Sequence, residues 1–150
     1  MKKTKVLFLC TGNSARSQMA EALVNRLRGN QWKAVSAGTH PSGSVHPLAV
    51  TVMREIGVDI SQAHTKSADE FREASLDLVI TVCDSAAEEC PLWLGQGKRV
   101  HIGFPDPAHG TLDDFRAVRD RIRQQVIPFL DAFEQKGKTW LEQKRSRNRE

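Results

Sequence analysis

Lys5-Val6-Leu7-Phe8-Leu9-Cys10-Thr11-Gly12-Asn13-Ser14-Ala15-Arg16-Ser17 reads as a short apolar strand that ends on a thiol and turns through polar residues into a helix. A run of that length closed by a Gly-containing loop suits a buried parallel strand. From Ser17 onward, Ala20, Leu23, Val24 and Leu27 fall at i, i+3, i+4 and i+7, and Gly29 closes the helix. The turn between them has the composition of an oxyanion site. Amides of a tight loop and of a helix N-terminus lack intrahelical partners and converge on an anion. Arg16 can grip two anion oxygens at once. The same positive field favours the thiolate of Cys10, which is the nucleophilic form.

The rest of the chain repeats this strand-then-helix order. Trp32 to Ser36 is a second strand, closed by Ala37-Gly38, and a helix follows from about His46 to Ile56. Leu76 to Val82 is a buried strand, and Arg99 to Ile102 is another. A polar segment with a possible short helix separates these two strands. A long helix starts near Thr111, where Thr111-Leu112-Asp113-Asp114 resembles a capping box in Asp form. Its stripe Phe115, Val118, Ile122, Val126, Phe129 and Phe133 should face the sheet, and Pro128 within it predicts a kink or an early end. The expectation is one α/β domain over residues 1–137, a doubly wound, four-stranded parallel sheet with helices on both faces. Residues 138–150 are expected to form a basic tail. Ligands of such sheets bind beyond the strand C-termini, where Cys10, Cys83 and Asp106 all fall.

Bulk composition narrows the possibilities. The 150 residues are 39% apolar, an ordinary globular composition. The apolar run after Met1-Lys2-Lys3 is too short for a signal peptide, and nothing is long enough to span a bilayer; a cytoplasmic monomer is expected. The net charge is +4, and all of that excess lies in residues 136 to 150. The basicity therefore belongs to the tail, which argues against nucleic acid as a partner. Three cysteines without a secretion signal do not make a structural disulfide framework. No tight C-x2-C or H-x3-H pair points to a metal.

Two further motifs carry chemistry. Asp106 sits in Gly103-Phe104-Pro105-Asp106-Pro107, where the prolines bias Phe104 and Asp106 away from helix. A carboxyl held there, beside a desolvated thiolate, could serve as a general acid. Cys83 and Cys90 are seven residues apart. On one helix they would lie ~10.5 Å apart along the axis, beyond the ~7 Å Cα separation a disulfide tolerates. They could bond only if that helix loosened or never formed, which suits a switch. Two unrelated thiols remain the alternative at this point.

Cys10-Thr11-Gly12-Asn13-Ser14-Ala15-Arg16-Ser17-Gln18-Met19-Ala20-Glu21-Ala22, together with Ser36-Ala37-Gly38 and Phe104-Pro105-Asp106-Pro107, resembles the low-molecular-weight protein tyrosine phosphatase superfamily. Thr81-Val82-Cys83-x6-Cys90-Pro91 resembles, within it, the thioredoxin-coupled arsenate reductases. The likeness runs from about Lys5 to Phe133. It implies that arsenate is held by Thr11, Gly12, Asn13, Ser14, Ala15, Arg16 and Ser17 and attacked by Cys10, with Asp106 protonating the departing oxygen. It also implies that Cys83 and then Cys90 carry the oxidation away as disulfides, with thioredoxin as reductant and no bound cofactor.

Two departures qualify the likeness. Phosphatases of the superfamily commonly follow Asp-Pro with tyrosines, whereas Ala108-His109-Gly110 follows here and the chain has no tyrosine. Members with a potassium site use positions matched by Asn13, Glu21 and Ser36 plus an acidic residue near Thr65. Thr65-Lys66-Ser67 supplies none, so no potassium is expected, and Lys66 could replace the cation's charge. The rival readings are a phosphatase in which Cys83 and Cys90 are incidental, and an anion- or redox-sensing domain without turnover. His64, His101 and His109 carry no motif, and Trp32, Trp93 and Trp140 are expected to pack.

Overall fold

The computed structural model describes residues 3–84 and 93–148, with 137–148 by backbone alone. Its elements are β1 (Thr4–Cys10), α1 (Arg16–Arg28), β2 (Trp32–Gly38), α2 (Pro47–Glu55), a 3₁₀ turn (Ala68–Phe71), β3 (Leu78–Thr81), β4 (Lys98–His101) and α3 (Leu112–Asn148). The four strands form one sheet in the order β2-β1-β3-β4, and every pairing is parallel. This is the α/β fold that the alternating pattern predicts. Strand order reverses between β1 and β3, so the connections leave in opposite directions there and open a crevice at the C-terminal edge.

Side-chain alternation along β1 splits the core in two. Val6, Phe8 and Cys10 face a cluster with Met19, Leu23 and Val24 of α1, Val52 and Met53 of α2, and Phe115, Ile122 and Val126 of α3. Leu7 and Leu9 face the other way, against Ala37, Ala68, Val79 and Trp93. Among the described residues, helical structure thus covers both faces unevenly, with three α-helices on one and the 3₁₀ turn on the other. Trp32 and Trp93 are buried, as packing residues would be. The side chain of Trp140 lies outside the described residues.

The box at Thr111 forms as its sequence predicts. The Asp114 carboxylate accepts from Thr111 N at 2.8 Å and the Thr111 hydroxyl accepts from Asp114 N at 3.3 Å. Pro128 does not end the helix, contrary to the early stop it suggests. Pro128 is exposed while Ile127 and Leu130 beside it are buried. Packing of the buried stripe outweighs the one helical hydrogen bond that a proline on the exposed face removes.

Arg116 and Arg119 tie α3 to α2 through Glu55, at 2.6 Å and 2.9 Å, and hydrogen bonds from Arg116 first, then Arg119, hold the Glu55 carboxyl below its ordinary range. Among the described residues no helix is long and apolar enough to cross a membrane.

Candidate active site

Cys10 is the last residue of β1, paired in register with Gly38 of β2. The loop Thr11–Ala15 leaves the sheet edge there and enters α1. Its carbonyls are taken up on the outer side: Cys10 O accepts from Thr39 N, Thr11 O from His40 N, Gly12 O from Ser42 N and Ser14 O from His46 N, at 2.9–3.2 Å. With these acceptors engaged, Asn13 N–H donates to Cys10 Sγ at 3.2 Å, and successive amides of such a turn can form an anion-binding nest.

Ala15, the residue before α1, makes no side-chain cap, so the first-turn amides are not consumed by one. Ser17, expected at the helix start, lies inside the helix and serves the thiol instead. Its Oγ lies 2.9 Å from Cys10 Sγ and accepts from Asn13 Nδ2 at 2.8 Å. With the oxygen engaged by that amide, the hydroxyl hydrogen is free to point at sulfur. Asn13 N–H also donates to Sγ, at 3.2 Å.

Asn13 makes this possible by adopting a left-handed backbone, φ 51°, which asparagine tolerates better than most side chains. Its Oδ1 accepts from Gln18 Nε2 at 3.0 Å and from Lys66 N at 2.9 Å. Gln18 Nε2 also donates to Asn13 O and to His64 O. Sequence reading placed Asn13 in the anion loop but missed Gln18 as its brace, because one of that brace's anchors lies 46 residues away.

Arg16 is 5% exposed and donates from Nη1 to Phe104 O at 3.1 Å. Its Nη2 lies 3.8 Å from Asp106 Oδ2, on a carboxylate half open to solvent. A long pair with one partner so exposed contributes at most about 1 kcal/mol, so an incoming oxyanion can displace it without a large penalty. Asp106 Oδ1 accepts from Ala108 N at 3.0 Å, and Pro107 behind it is buried. The structure therefore brings Cys10, Asn13, Arg16, Ser17 and Asp106 to one crevice.

Cys83 follows β3 at the same edge. Val82 N still bonds Leu9 O at 3.0 Å, extending the ladder past Thr81, so Cys83 stands one strand across from Cys10. It is fully buried and disulfide-bonded, whereas Cys10 is a free thiol. Cys90 lies outside the described residues.

Gly38 leaves the loop no room for a side chain. A Cβ there would stand 2.4 Å from Thr11 O and 3.0 Å from Asn13 N, both backbone atoms. Gly38→Ala should therefore push the anion loop off the sheet, at about 1–3 kcal/mol of stability. A displacement near 1 Å at Cys10 Sγ should lower kcat/KM on the order of 10²-fold. Thermal melts and steady-state kinetics on the purified variant check both figures; unchanged kinetics would show that the loop position does not matter.

Beneath the loop, Lys66 Nζ lies 3.8 Å from Glu21 Oε1, both largely buried. Burial raises the Glu21 carboxyl above its ordinary range, opposed by the Lys66 charge and then by Ser36. Ser36 Oγ itself falls short of hydrogen-bond geometry. Among the described residues no cluster of three or more His, Cys, Asp or Glu is placed to hold a metal ion.

Comparison with known proteins agrees with this geometry. The profile of the family described as low molecular weight phosphotyrosine protein phosphatase matches residues 5–139. The arsenate reductase of Halalkalibacterium halodurans is 42% identical over 140 residues, which cover 92% of this chain and all of that protein. That of Bacillus subtilis is 41% identical over the same coverage. A solved arsenate reductase in the phosphate-binding state superposes with a TM-score of 0.76 at 32% identity, covering 86% of this chain and 98% of the other.

Proposed function

This chain belongs to the low molecular weight phosphotyrosine protein phosphatase family, and within it we propose that it reduces arsenate to arsenite by a three-cysteine relay regenerated by thioredoxin. The observation that carries the reading is the pairing of two sulfur states at one sheet edge. Cys10 is free and hydrogen-bonded by Ser17 and Asn13, and Cys83, one strand across, is in a disulfide.

In this reading the Thr11–Ser17 loop and Arg16 hold arsenate, and Cys10 thiolate attacks arsenic. Oxygen leaves as water once Asp106 has given it a proton, and a Cys10–arsenic(V) bond remains. Cys83, as thiolate, then attacks Cys10 Sγ. A sulfur–sulfur bond forms, the sulfur–arsenic bond breaks, and its electron pair stays on arsenic, which departs as arsenic(III). Two thiols have been oxidised and arsenic reduced by two electrons. Cys90 thiolate next displaces Cys10 from Cys83, which resets the nucleophile and leaves Cys83–Cys90 for the thioredoxin dithiol.

Support for arsenate comes from the relatives, which carry that activity in their names at about 40% identity over nearly the whole chain. A plain phosphatase has one observation in its favour, since the same loop, Arg16 and Asp106 suffice for phosphoryl transfer. It would leave the Cys83 disulfide without a role.

The test is to mix the purified protein with thioredoxin, thioredoxin reductase and NADPH. Arsenate should start NADPH consumption and phosphate should not. An NADPH rate indifferent to arsenate would overturn the proposal.

A further inference from the structure

We infer that His46, at the start of α2, is a positioning residue that braces the Asp106 loop against the Cys10 loop. Its backbone N–H donates to Ser14 O at 2.9 Å, which fixes it to the anion loop. Its ring Nδ1 accepts from Leu48 N at 3.1 Å, and Nε2 lies 3.2 Å from Ala108 O. A backbone amide only donates and a carbonyl only accepts, so the two contacts specify one form of the ring, the neutral tautomer with hydrogen on Nε2. The ring packs on Phe115 with centroids 4.6 Å apart, which fixes its plane.

Ala108 relays the brace. Its carbonyl is held by His46 while its N–H donates to Asp106 Oδ1 at 3.0 Å, and Asp106 Oδ2 faces Arg16. Ser14, His46, Ala108, Asp106 and Arg16 thus close a circuit that begins and ends on the Cys10 loop. A helix cap alone would need only the Nδ1 contact, and Asn, Asp or Ser supplies that more commonly than His. What the imidazole adds is a second arm on its far side, aimed at the segment that carries the carboxyl. The half-exposed Asp106 sits outside any strand or helix, so it depends on such ties for its direction.

This inference rests on Asp106 acting as the general acid, and the test separates the two claims. His46→Asn keeps an acceptor for Leu48 N but is too short to reach Ala108. Its melting temperature should stay close to the parent's. Hydrolysis of phenyl phosphate, whose leaving group needs a proton, should fall about tenfold or more, while hydrolysis of dinitrophenyl phosphate, whose leaving group does not, should hold. In an Asp106→Asn background the His46 change should add nothing. If Asp106→Asn leaves phenyl phosphate hydrolysis intact, the acid assignment fails. If Asp106→Asn slows it and His46→Asn affects both esters equally, or neither, the brace is overturned. Nitrogen NMR of the parent protein gives a readout independent of any variant: His46 should be neutral with hydrogen on Nε2, and hydrogen on Nδ1 would overturn the inference.

Discussion

Cys10→Ser protein should fold, bind phosphate and do no chemistry. Serine fills nearly the same volume at a buried position, and the partners of Sγ, Ser17 Oγ and Asn13 N–H, can hydrogen-bond a hydroxyl. The loop should therefore persist, and added phosphate should still raise the melting temperature by mass action. Catalysis depends on what the hydroxyl lacks. An alcohol is a far poorer nucleophile than a thiolate. Serine also cannot form the sulfur–sulfur bond whose formation would leave an electron pair on arsenic. Both arsenate reduction and aryl-phosphate hydrolysis should fall on the order of 10⁴-fold or more, the scale of losing a covalent nucleophile. Arsenate-dependent NADPH loss and release of nitrophenol report the two reactions separately. Retained reduction would remove Cys10 from the mechanism, and retained hydrolysis alone would point to a different nucleophile for phosphate.

How much of this could be read from the chain depends on how local each contact is. The β1 run, the glycine-bearing loop and the α1 stripe lie within about two dozen consecutive residues, and the strand–loop–helix they imply is what forms. The Thr111–Asp114 box is likewise a matter of neighbours. Ser17 was placeable on the helix, yet its contact with Cys10 Sγ depends on how tightly the loop curls, which Asn13's left-handed backbone decides. His46 was legible as the start of α2, but its tie to Ala108 was not. Its ring is 62 residues from Ala108 in sequence, and only a folded sheet edge brings them together. The helix start there has a local signal, a polar residue directly before Pro47, since proline favours the first helical position. Pro128 shows the converse: of the kink or early end that a proline predicts, the early end is overridden by packing on the opposite side of α3.

Cys83→Ser should split the two reactions that Cys10→Ser abolishes together. Phosphate chemistry needs only the loop, Arg16, Asp106 and a thiolate at Cys10, and no bond to the Cys83 sulfur forms or breaks in it. Aryl-phosphate hydrolysis in the variant should therefore stay within about threefold of the parent, the scatter expected when a residue outside the reacting constellation is changed. Arsenate reduction should stop at the first adduct. Without a second sulfur to attack Cys10, the sulfur–arsenic bond has no partner to deliver its electron pair, and thioredoxin finds no disulfide to reduce. Arsenate-dependent NADPH consumption should fall at least about 10³-fold, because serine is not a thiolate and forms no disulfide. Cys83 is fully buried, so a circular dichroism melt is needed to show that loss of turnover is not loss of fold; retained hydrolysis provides the same control from inside the active site. Parent-like reduction by the Cys83→Ser protein would mean that electrons reach Cys10 and arsenic by another route, and the relay would have to be abandoned while the anion site stood.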